Sequence, residues 1–370
     1  MTTQETDITA LSHAPVLLTR PRVIYLDNLK LLLTILVIAH HAALAYGPFR
    51  GIWHVENAER ADVLGSLIVV NSMFFMGLFF FIAGYFTMPA YDRKGARRFV
   101  LDRALRLGIP SLAWLAASIL VLRQVGYAHM WFAVDLLALS ILYAVSRLWQ
   151  ARTGRPRHDQ SAATPPSRLT IVIFIIVLGL ATAAVRRYYP IGHWIAFLGF
   201  LPLEVNHWVQ YLSLFLLGIV ACRNHWLEGP GLVRNTPWLP ITLALVLFFL
   251  GGSLWPAKTQ ALFDVGGGSG GMVLYSLLEA ILCVSLSITL LWAFRRWLNT
   301  ETPFSRVLAA NSYGIYFIHY APVLILQYVL LDIPLHPIAK FLLVTAGSFV
   351  LSLAASVLLL RSTRWGRRVF

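Results

Sequence analysis

The chain has 370 residues, of which 58% are hydrophobic and only 12% are charged, and its mean hydropathy is +0.70. Soluble domains carry about 25% charged residues, so this composition excludes an ordinary soluble protein and predicts one embedded in a membrane. The net charge of +14 does not indicate nucleic-acid binding, because basic loops on the cytoplasmic side of a membrane protein produce the same excess.

Ten apolar segments have roughly the length that a helix needs to cross a bilayer. They predict an all-α fold, a polytopic membrane bundle of about ten transmembrane helices. A further short run, Ile191–Leu201, is too brief to cross and is expected to lie at the interface or to re-enter. The ten segments cover residues 29–46, 66–88, 107–122, 128–148, 169–185, 205–222, 238–255, 272–293, 311–331 and 338–360.

The distribution of Lys and Arg predicts the orientation of the segments. If both termini are cytoplasmic and every segment crosses, all but seven of the 30 Lys and Arg residues lie on the inner side, as the positive-inside rule requires. The sequence therefore predicts a multi-pass protein of the inner (cytoplasmic) membrane. Its parts are a cytoplasmic segment at 1–28, a membrane domain at 29–360 and a basic cytoplasmic tail at 361–370. The seven exceptions are Arg50, Arg60, Arg123, Arg186, Arg187, Lys258 and Lys340.

Two local patterns are interpreted as structural. Gly266–Gly271 has the composition of a phosphate-binding loop, but no strand precedes it and no Lys-Ser or Lys-Thr follows it, so it is predicted to be a plain outer loop. The two cysteines have neither the spacing of metal ligands nor that of a disulfide framework. We expect no bound metal and no permanently bound cofactor.

The first helix carries the densest set of ionisable groups. Lys30 and His41 are eleven residues apart, which places them on one helical face about 16 Å apart along the axis. Asp27 and Thr34 fall on the same face, whereas His40 points about 100° away. Because histidine exchanges a proton near neutral pH, His41 suits general-base catalysis. The alternative is a histidine that joins two helices by hydrogen bonds.

A basic cluster follows the second segment. Most of its charge is expected to set the topology and to contact anionic headgroups. Arg103 and Arg106 differ from the rest, because their spacing puts them on one helical face directly before the third segment. Arginines at this place could bind a phosphorylated group that enters from the cytoplasm.

Other polar residues inside the segments are weaker candidates. We interpret them as residues that form helix–helix hydrogen bonds. The alternative is that they contact the acceptor or support the catalytic residues. Four histidines near segment ends, His54, His193, His207 and His225, are expected to be solvated. The weaker candidates are Trp131, Asp135, Glu279 and His319.

Five short motifs are spread along the chain: Asp27–Lys30 with His41, FFFIAGYF at 79–86, Arg103–Pro110, HMWF at 129–132 and NSYGIYFIHY at 311–320. With these motifs the sequence resembles the acyltransferase-3 family of membrane proteins. The basic residue and histidine of the first helix have that family's spacing, and the similarity extends over roughly residues 22–360. Within the family the chain looks closest to the glucan-modifying, succinyltransferase-like branch.

The resemblance implies transfer of an acyl group from acyl-CoA, a co-substrate, to a hydroxyl of a carbohydrate or related acceptor. It implies that His41, with Asp27, belongs to the catalytic group and that Lys30, Arg103 and Arg106 bind the donor. Two departures are a lysine at position 30, where arginine is more usual, and an R-x-x-R spacing where some members have R-x-R. The alternative function is a proton-coupled transporter or flippase that uses the same polar stripe.

Overall fold

The computed structural model describes residues 23–121, 126–154, 165–228, 237–252 and 269–370. Residues 1–22 of the predicted N-terminal segment and 266–268 of the glycine-rich loop lie outside these ranges, as do Arg123 and Lys258 among the outer basic residues. The described chain is mostly helical. Its α-helices are α1 (Ile24–Leu44), α2 (Val63–Arg103), α3 (Ile109–Val121), α4 (Trp131–Arg152), α5 (Arg168–Arg186), α6 (Val205–Arg223), α7 (Trp238–Gly252), α8 (Gly270–Trp297), α9 (Pro303–Ile318), α10 (Tyr320–Val329), α11 (Pro337–Ala355) and α12 (Gly366–Val369).

Seven helical stretches in the described ranges are long and apolar enough to cross a membrane. The predicted polytopic helical bundle is therefore present, although two of the ten predicted segments correspond to the shorter helices α7 and α10. The seven stretches are Ile24–Leu44, Val63–Leu120, Ala128–Arg152, Arg168–Arg186, Val205–Arg223, Gly270–Trp297 and Pro337–Leu360.

The longest stretch contains two irregularities that separate the second and third predicted segments. Gly95 interrupts α2 with a φ of 72° and a ψ of 165°, a conformation that glycine adopts without strain. A π-helical turn, Ala104–Gly108, then joins α2 to α3. The widened turn changes the angular spacing of side chains from that of an α-helix.

The short run before α6 folds as a β-hairpin. Strand β1 (Trp194–Phe197) pairs antiparallel with β2 (Leu201–Glu204), and Trp194 lies opposite Glu204. The hairpin connects α5 to α6 and adds a small two-stranded sheet to the helical fold.

The core of the bundle forms where α2 packs on α1 and α6. Leu29 and Leu33 of α1 meet Phe80 and Phe81 of α2, and Phe215 of α6 joins the same cluster. All five side chains are buried. This contact holds the first helix, and hence its polar stripe, against the centre of the protein.

Two glycines allow α2 and α6 to approach at backbone distance. A methyl group on Gly84 would overlap the carbonyl oxygen of Phe215, and one on Gly218 would overlap that of Phe81. Small residues at such positions are typical of helix pairs in membranes.

We expect Gly84→Ala and Gly218→Ala each to lower the free energy of unfolding by about 1–3 kcal/mol, because the added methyl must push two helix backbones apart. The matched control is Gly251→Ala in α7, where nothing lies within 4 Å of the added methyl. Thermal unfolding of the purified variants in detergent measures the difference. If the Gly84→Ala and Gly218→Ala variants melt at the same temperature as Gly251→Ala, the close packing of α2 on α6 is contradicted.

Candidate active site

Histidine and aromatic side chains from four parts of the chain meet at one end of the bundle. We call this group the histidine cluster. It combines the end of α1, the loop before α2, the turn before α4 and the junction of α9 with α10. Its members are His41, Trp53, His54, His129, His319 and Tyr320.

A hydrogen bond between two histidines lies at the centre of the cluster. Nδ1 of His41 is 3.0 Å from Nε2 of His319, and the two ring planes differ by 17° with centroids 5.2 Å apart. His319 lies at the break between α9 and α10, where its Nδ1 is 2.6 Å from the carbonyl oxygen of Tyr316.

The partners determine which nitrogen carries a proton. A carbonyl oxygen only accepts, so Nδ1 of His319 donates to Tyr316. In the neutral ring Nε2 of His319 then has no hydrogen and must accept from Nδ1 of His41. With both rings neutral, the lone pair of His41 is therefore on Nε2, which is the atom at which this ring can accept a proton.

Trp53 and Gln327 fix the position of His41. The indole of Trp53 stacks on the His41 ring with centroids 5.3 Å apart, and its Nε1 donates to Oε1 of Gln327 over 2.8 Å. Nε2 of Gln327 donates to the carbonyl oxygens of His41 and Ala42, each at 3.2 Å. Gln327 is fully buried, and its amide holds Trp53 through the oxygen and the end of α1 through the nitrogen.

His129 and Tyr320 complete the cluster. The His129 ring lies 4.8 Å from that of His319 and stacks on Tyr320 at 5.0 Å, and its Nε2 donates to the carbonyl oxygen of Phe317 over 3.1 Å. The hydroxyl of Tyr320 is 2.7 Å from Nε2 of His54 in the loop between α1 and α2. The cluster therefore continues from buried rings to an exposed histidine.

His40 lies outside the histidine cluster and faces α2 instead. Its ring stacks on Phe75 of α2 with centroids 5.3 Å apart, whereas that of His41 faces His319. The two adjacent histidines thus contact different helices, which makes His40 a matched control for His41.

The charged residues of the α1 stripe lie near the beginning of the helix. Nζ of Lys30 is 2.6 Å from Oδ1 of Asp27 and lies 5.0 Å from the ring centroid of Phe86. Asp27 is fourteen residues before His41, about 21 Å along a helix, so the structure does not bring these two together. It joins Asp27 to Lys30 instead.

Arg103 and Arg106 have different surroundings. The guanidinium of Arg103 lies over the Phe99 ring at 5.3 Å, whereas Nε of the exposed Arg106 is 3.3 Å from Oδ1 of Asp102. Arg106 is inside the π-helical turn, so the spacing predicted for a regular helix does not apply to it.

Asp135 and Trp131 lie on consecutive turns of α4. Asp135 is fully buried, and its Oδ2 accepts from Nε1 of Trp208 over 3.1 Å. Its Oδ1 has no hydrogen-bond donor among the described residues. Trp131 stacks on Tyr211 with centroids 5.4 Å apart. A buried carboxylate oxygen without a donor is costly in a protein interior and suits a hydroxyl ligand.

Glu279 belongs to a second polar group, which we call the buried ion network. One of its oxygens is 2.5 Å from Nη1 of Arg186, and the other is 3.1 Å from Nε2 of His207. Nδ1 of His207 is 3.0 Å from Glu204. The prediction that His207 is solvated was wrong, since only 6% of it is exposed. Arg186, taken from the sequence as an outer-loop charge, is buried as well.

Sequence reasoning missed several of these residues. His129 was part of a recognised motif without a role of its own, and Gln327 is an uncharged residue in an apolar helix. Arg186 and His207 were near segment ends, although the principle that a charge inside a span has a partner could have paired Arg186 with Glu279. In the described part of the chain, no group of His, Cys, Asp or Glu residues is arranged to hold a metal ion.

Several apolar helices and an internal polar cluster define a multi-pass membrane protein. Residues 23–361 match the acyltransferase domain, and the chain belongs to this acyltransferase-3 family of enzymes that transfer acyl groups. It is 28% identical to glucans biosynthesis protein C of Salmonella paratyphi A and of Salmonella agona (strain SL483), and 27% identical to that of Salmonella schwarzengrund (strain CVM19633). Each match covers 286 residues, 66% of this chain and 71% of the relative. No solved structure gives a significant match.

Proposed function

We propose that this protein is an O-acyltransferase that moves an acyl group from acyl-CoA to a hydroxyl of a carbohydrate, with His41 as the general base. The match over residues 23–361 supports acyl transfer, and the similarity to glucans biosynthesis protein C supports a carbohydrate acceptor. The same match favours a transferase over a proton-coupled transporter.

One observation carries the proposed mechanism: the His319 ring accepts from Nδ1 of His41 and leaves the lone pair on Nε2. In a direct transfer, this Nε2 removes the proton of the acceptor hydroxyl while the oxygen attacks the thioester carbonyl carbon. The carbon–sulfur bond then breaks, and the proton passes from His41 to the departing thiolate. His319 acts as a positioning residue that sets the tautomer of His41.

The acceptor is assigned to the side of the cluster formed by α4. His129, which lies two residues before the start of this helix, contacts His319, and Trp131 and Asp135 lie on the helix itself. Oδ1 of Asp135 accepts a hydrogen bond from a sugar hydroxyl in this proposal, and Trp131 packs on the sugar ring. Glu279 has a structural role, because Arg186 and His207 already engage its two oxygens.

The donor is assigned to the opposite end of α1. Lys30, held by Asp27, and the two arginines Arg103 and Arg106 bind the phosphates of acyl-CoA in this proposal. The acyl end then extends along the stripe of α1 toward His41, a distance of about 16 Å.

The proposed orientation has ten crossings with both termini at the cytoplasmic side of the inner membrane. The described structure adds support, because three of the seven basic residues assigned to the outer side have specific partners. Arg186 pairs with Glu279, Nζ of Lys340 donates to Asn57 and Leu331, and Arg60 donates to the carbonyl oxygens of Gly47 and Phe49. Because these three basic residues have structural partners, their place on the proposed outer side is compatible with the positive-inside rule.

We expect a reporter fused after Phe370 to behave as cytoplasmic and one inserted in the Gly266–Gly271 loop to behave as external, because the positive-inside rule orients the bundle in this way. Paired alkaline phosphatase and fluorescent protein fusions provide the measurement. If the two sites report the same side, the proposed orientation is incorrect.

We expect His41→Ala to lower the rate of acyl transfer by about 10²–10⁴-fold, since it removes the general base. His40→Ala should retain most of the activity, because that ring faces Phe75. His319→Gln should retain more activity than His319→Ala, because a glutamine oxygen can accept from Nδ1 of His41.

Cells that lack the gene, complemented with each variant at equal folded amounts, serve as the assay. Mass spectrometry of their envelope glycans measures the acyl groups, and purified protein with acyl-CoA gives the rates. No acyl mass difference between cells with and without the wild-type gene would reject the carbohydrate acceptor. Full activity of the His41→Ala variant would reject His41 as the general base.

We expect Arg103→Ala and Arg106→Ala each to raise the KM for acyl-CoA about ten- to a hundred-fold, because a charge-assisted phosphate contact contributes about 1.5–3 kcal/mol. Arg364→Ala, which removes an exposed charge from the C-terminal tail, is the control. Steady-state kinetics with varied donor give the constants. An unchanged KM for acyl-CoA in both variants would show that Arg103 and Arg106 do not bind the donor.

A further inference from the structure

The hairpin between α5 and α6 has an exposed apolar tip. Phe197, Leu198 and Phe200 are 48%, 72% and 59% exposed, and Gly199 completes the turn between the strands. An isolated hairpin with strands of four residues is only marginally stable in water, and apolar side chains grouped at its tip would add to the cost of hydration.

The root of the hairpin is firmly attached to the bundle. Trp194 at the start of β1 contacts the Trp131 ring at 5.5 Å, and Glu204 at the end of β2 pairs with His207 of the buried ion network. Trp194 and Glu204 are opposite each other in the hairpin. The tip therefore projects from a fixed base.

These contacts also place the hairpin at a particular end of the protein. Trp131 begins α4, and His129, two residues earlier in the chain, contacts His319 in the histidine cluster. The hairpin and the cluster thus share one end of the bundle.

The composition of the hairpin identifies what surrounds its tip. From 188 to 203 the chain contains no Asp, Glu, Lys or Arg. Tyr188 and Tyr189, with Trp194, supply the aromatic residues that are enriched where a membrane meets water. The hairpin directly follows α5, where Val177 and Leu180 are also exposed apolar residues on a membrane-spanning helix.

We propose that residues 197–200 insert into the hydrocarbon of the lipid leaflet at the end of the bundle that holds the histidine cluster. The partner is the acyl chains of phospholipids. A strand of four residues reaches about 13 Å, enough to pass the interface from a base at the end of α5. A glycan partner is disfavoured at this place, because its hydroxyls would need hydrogen-bond partners and the side chains of Phe197, Leu198 and Phe200 offer none.

The test measures the depth of single spin labels on the full chain in phosphatidylethanolamine–phosphatidylglycerol nanodiscs. Labels are attached at Leu198→Cys and at Phe200→Cys. Val177→Cys on α5 is the lipid-facing control, and Ala58→Cys in the exposed loop before α2 is the aqueous control. The unsubstituted chain, whose Cys222 and Cys283 are both buried, gives the background labelling.

We expect the labels at 198 and 200 to match that at 177, with a ratio of oxygen to nickel-chelate accessibility several-fold above that at 58. A ratio equal to the Ala58 control would overturn membrane insertion. So would protection that arises only after addition of a glucan oligosaccharide, because the tip would then be an acceptor surface.

A second variant keeps the test independent of labelling at the tip itself. Leu198→Asp, combined with the label at 200, should move that label toward the aqueous value, since a carboxylate resists insertion into hydrocarbon. Leu198→Val should leave it in place. An unchanged ratio in Leu198→Asp would contradict the proposal. None of these readouts depends on acyl transfer, so they remain valid if the proposed function is wrong.

Discussion

Inside a bilayer a polar side chain has no water to bind, so its partner must come from the protein itself. This constraint determines how the helices are arranged at one end of the molecule. The bond between His41 and His319 joins α1 to the α9–α10 junction, and the ion pair of Arg186 with Glu279 joins α5 to α8. His207 adds α6 to the second group. The apolar core fills the space between these polar contacts but does not determine which helices they join.

The two polar groups differ in the kind of contact that joins their members. In the buried ion network, Glu279 faces a cation and a histidine, and that histidine also reaches Glu204. In the histidine cluster the bonds run between rings, an amide and backbone carbonyl oxygens, and each neutral ring keeps one nitrogen without hydrogen. The first arrangement stabilises a structure, whereas the second leaves an atom able to accept a proton. This difference is the physical basis for assigning chemistry to His41 and not to Glu279.

The sequence predicted the helical bundle because its dominant signal, long apolar runs, depends only on local composition. It also predicted that His40 and His41 point in different directions, because one helix contains both. The contacts of His41 with Trp53 and Gln327 could not be predicted in this way, since they join residues that are far apart in the chain. Regular helix spacing also does not describe Arg106, because this residue lies inside a π-helical turn that the sequence pattern did not reveal.

Gln327 has a consequence for how the enzyme can move. Its amide ties the end of α1 to α10, while Tyr320 of the same helix reaches His54 in the loop that follows α1. Together with the His41–His319 bond, these hydrogen bonds connect α1 and the α9–α10 pair into one unit at this end. An alternating-access motion that rocked α1 against α9 and α10 would have to break all of these hydrogen bonds in each cycle. In the proposed mechanism both substrates therefore travel to a stationary His41, and the selectivity of acyl transfer depends on the routes that lead to it.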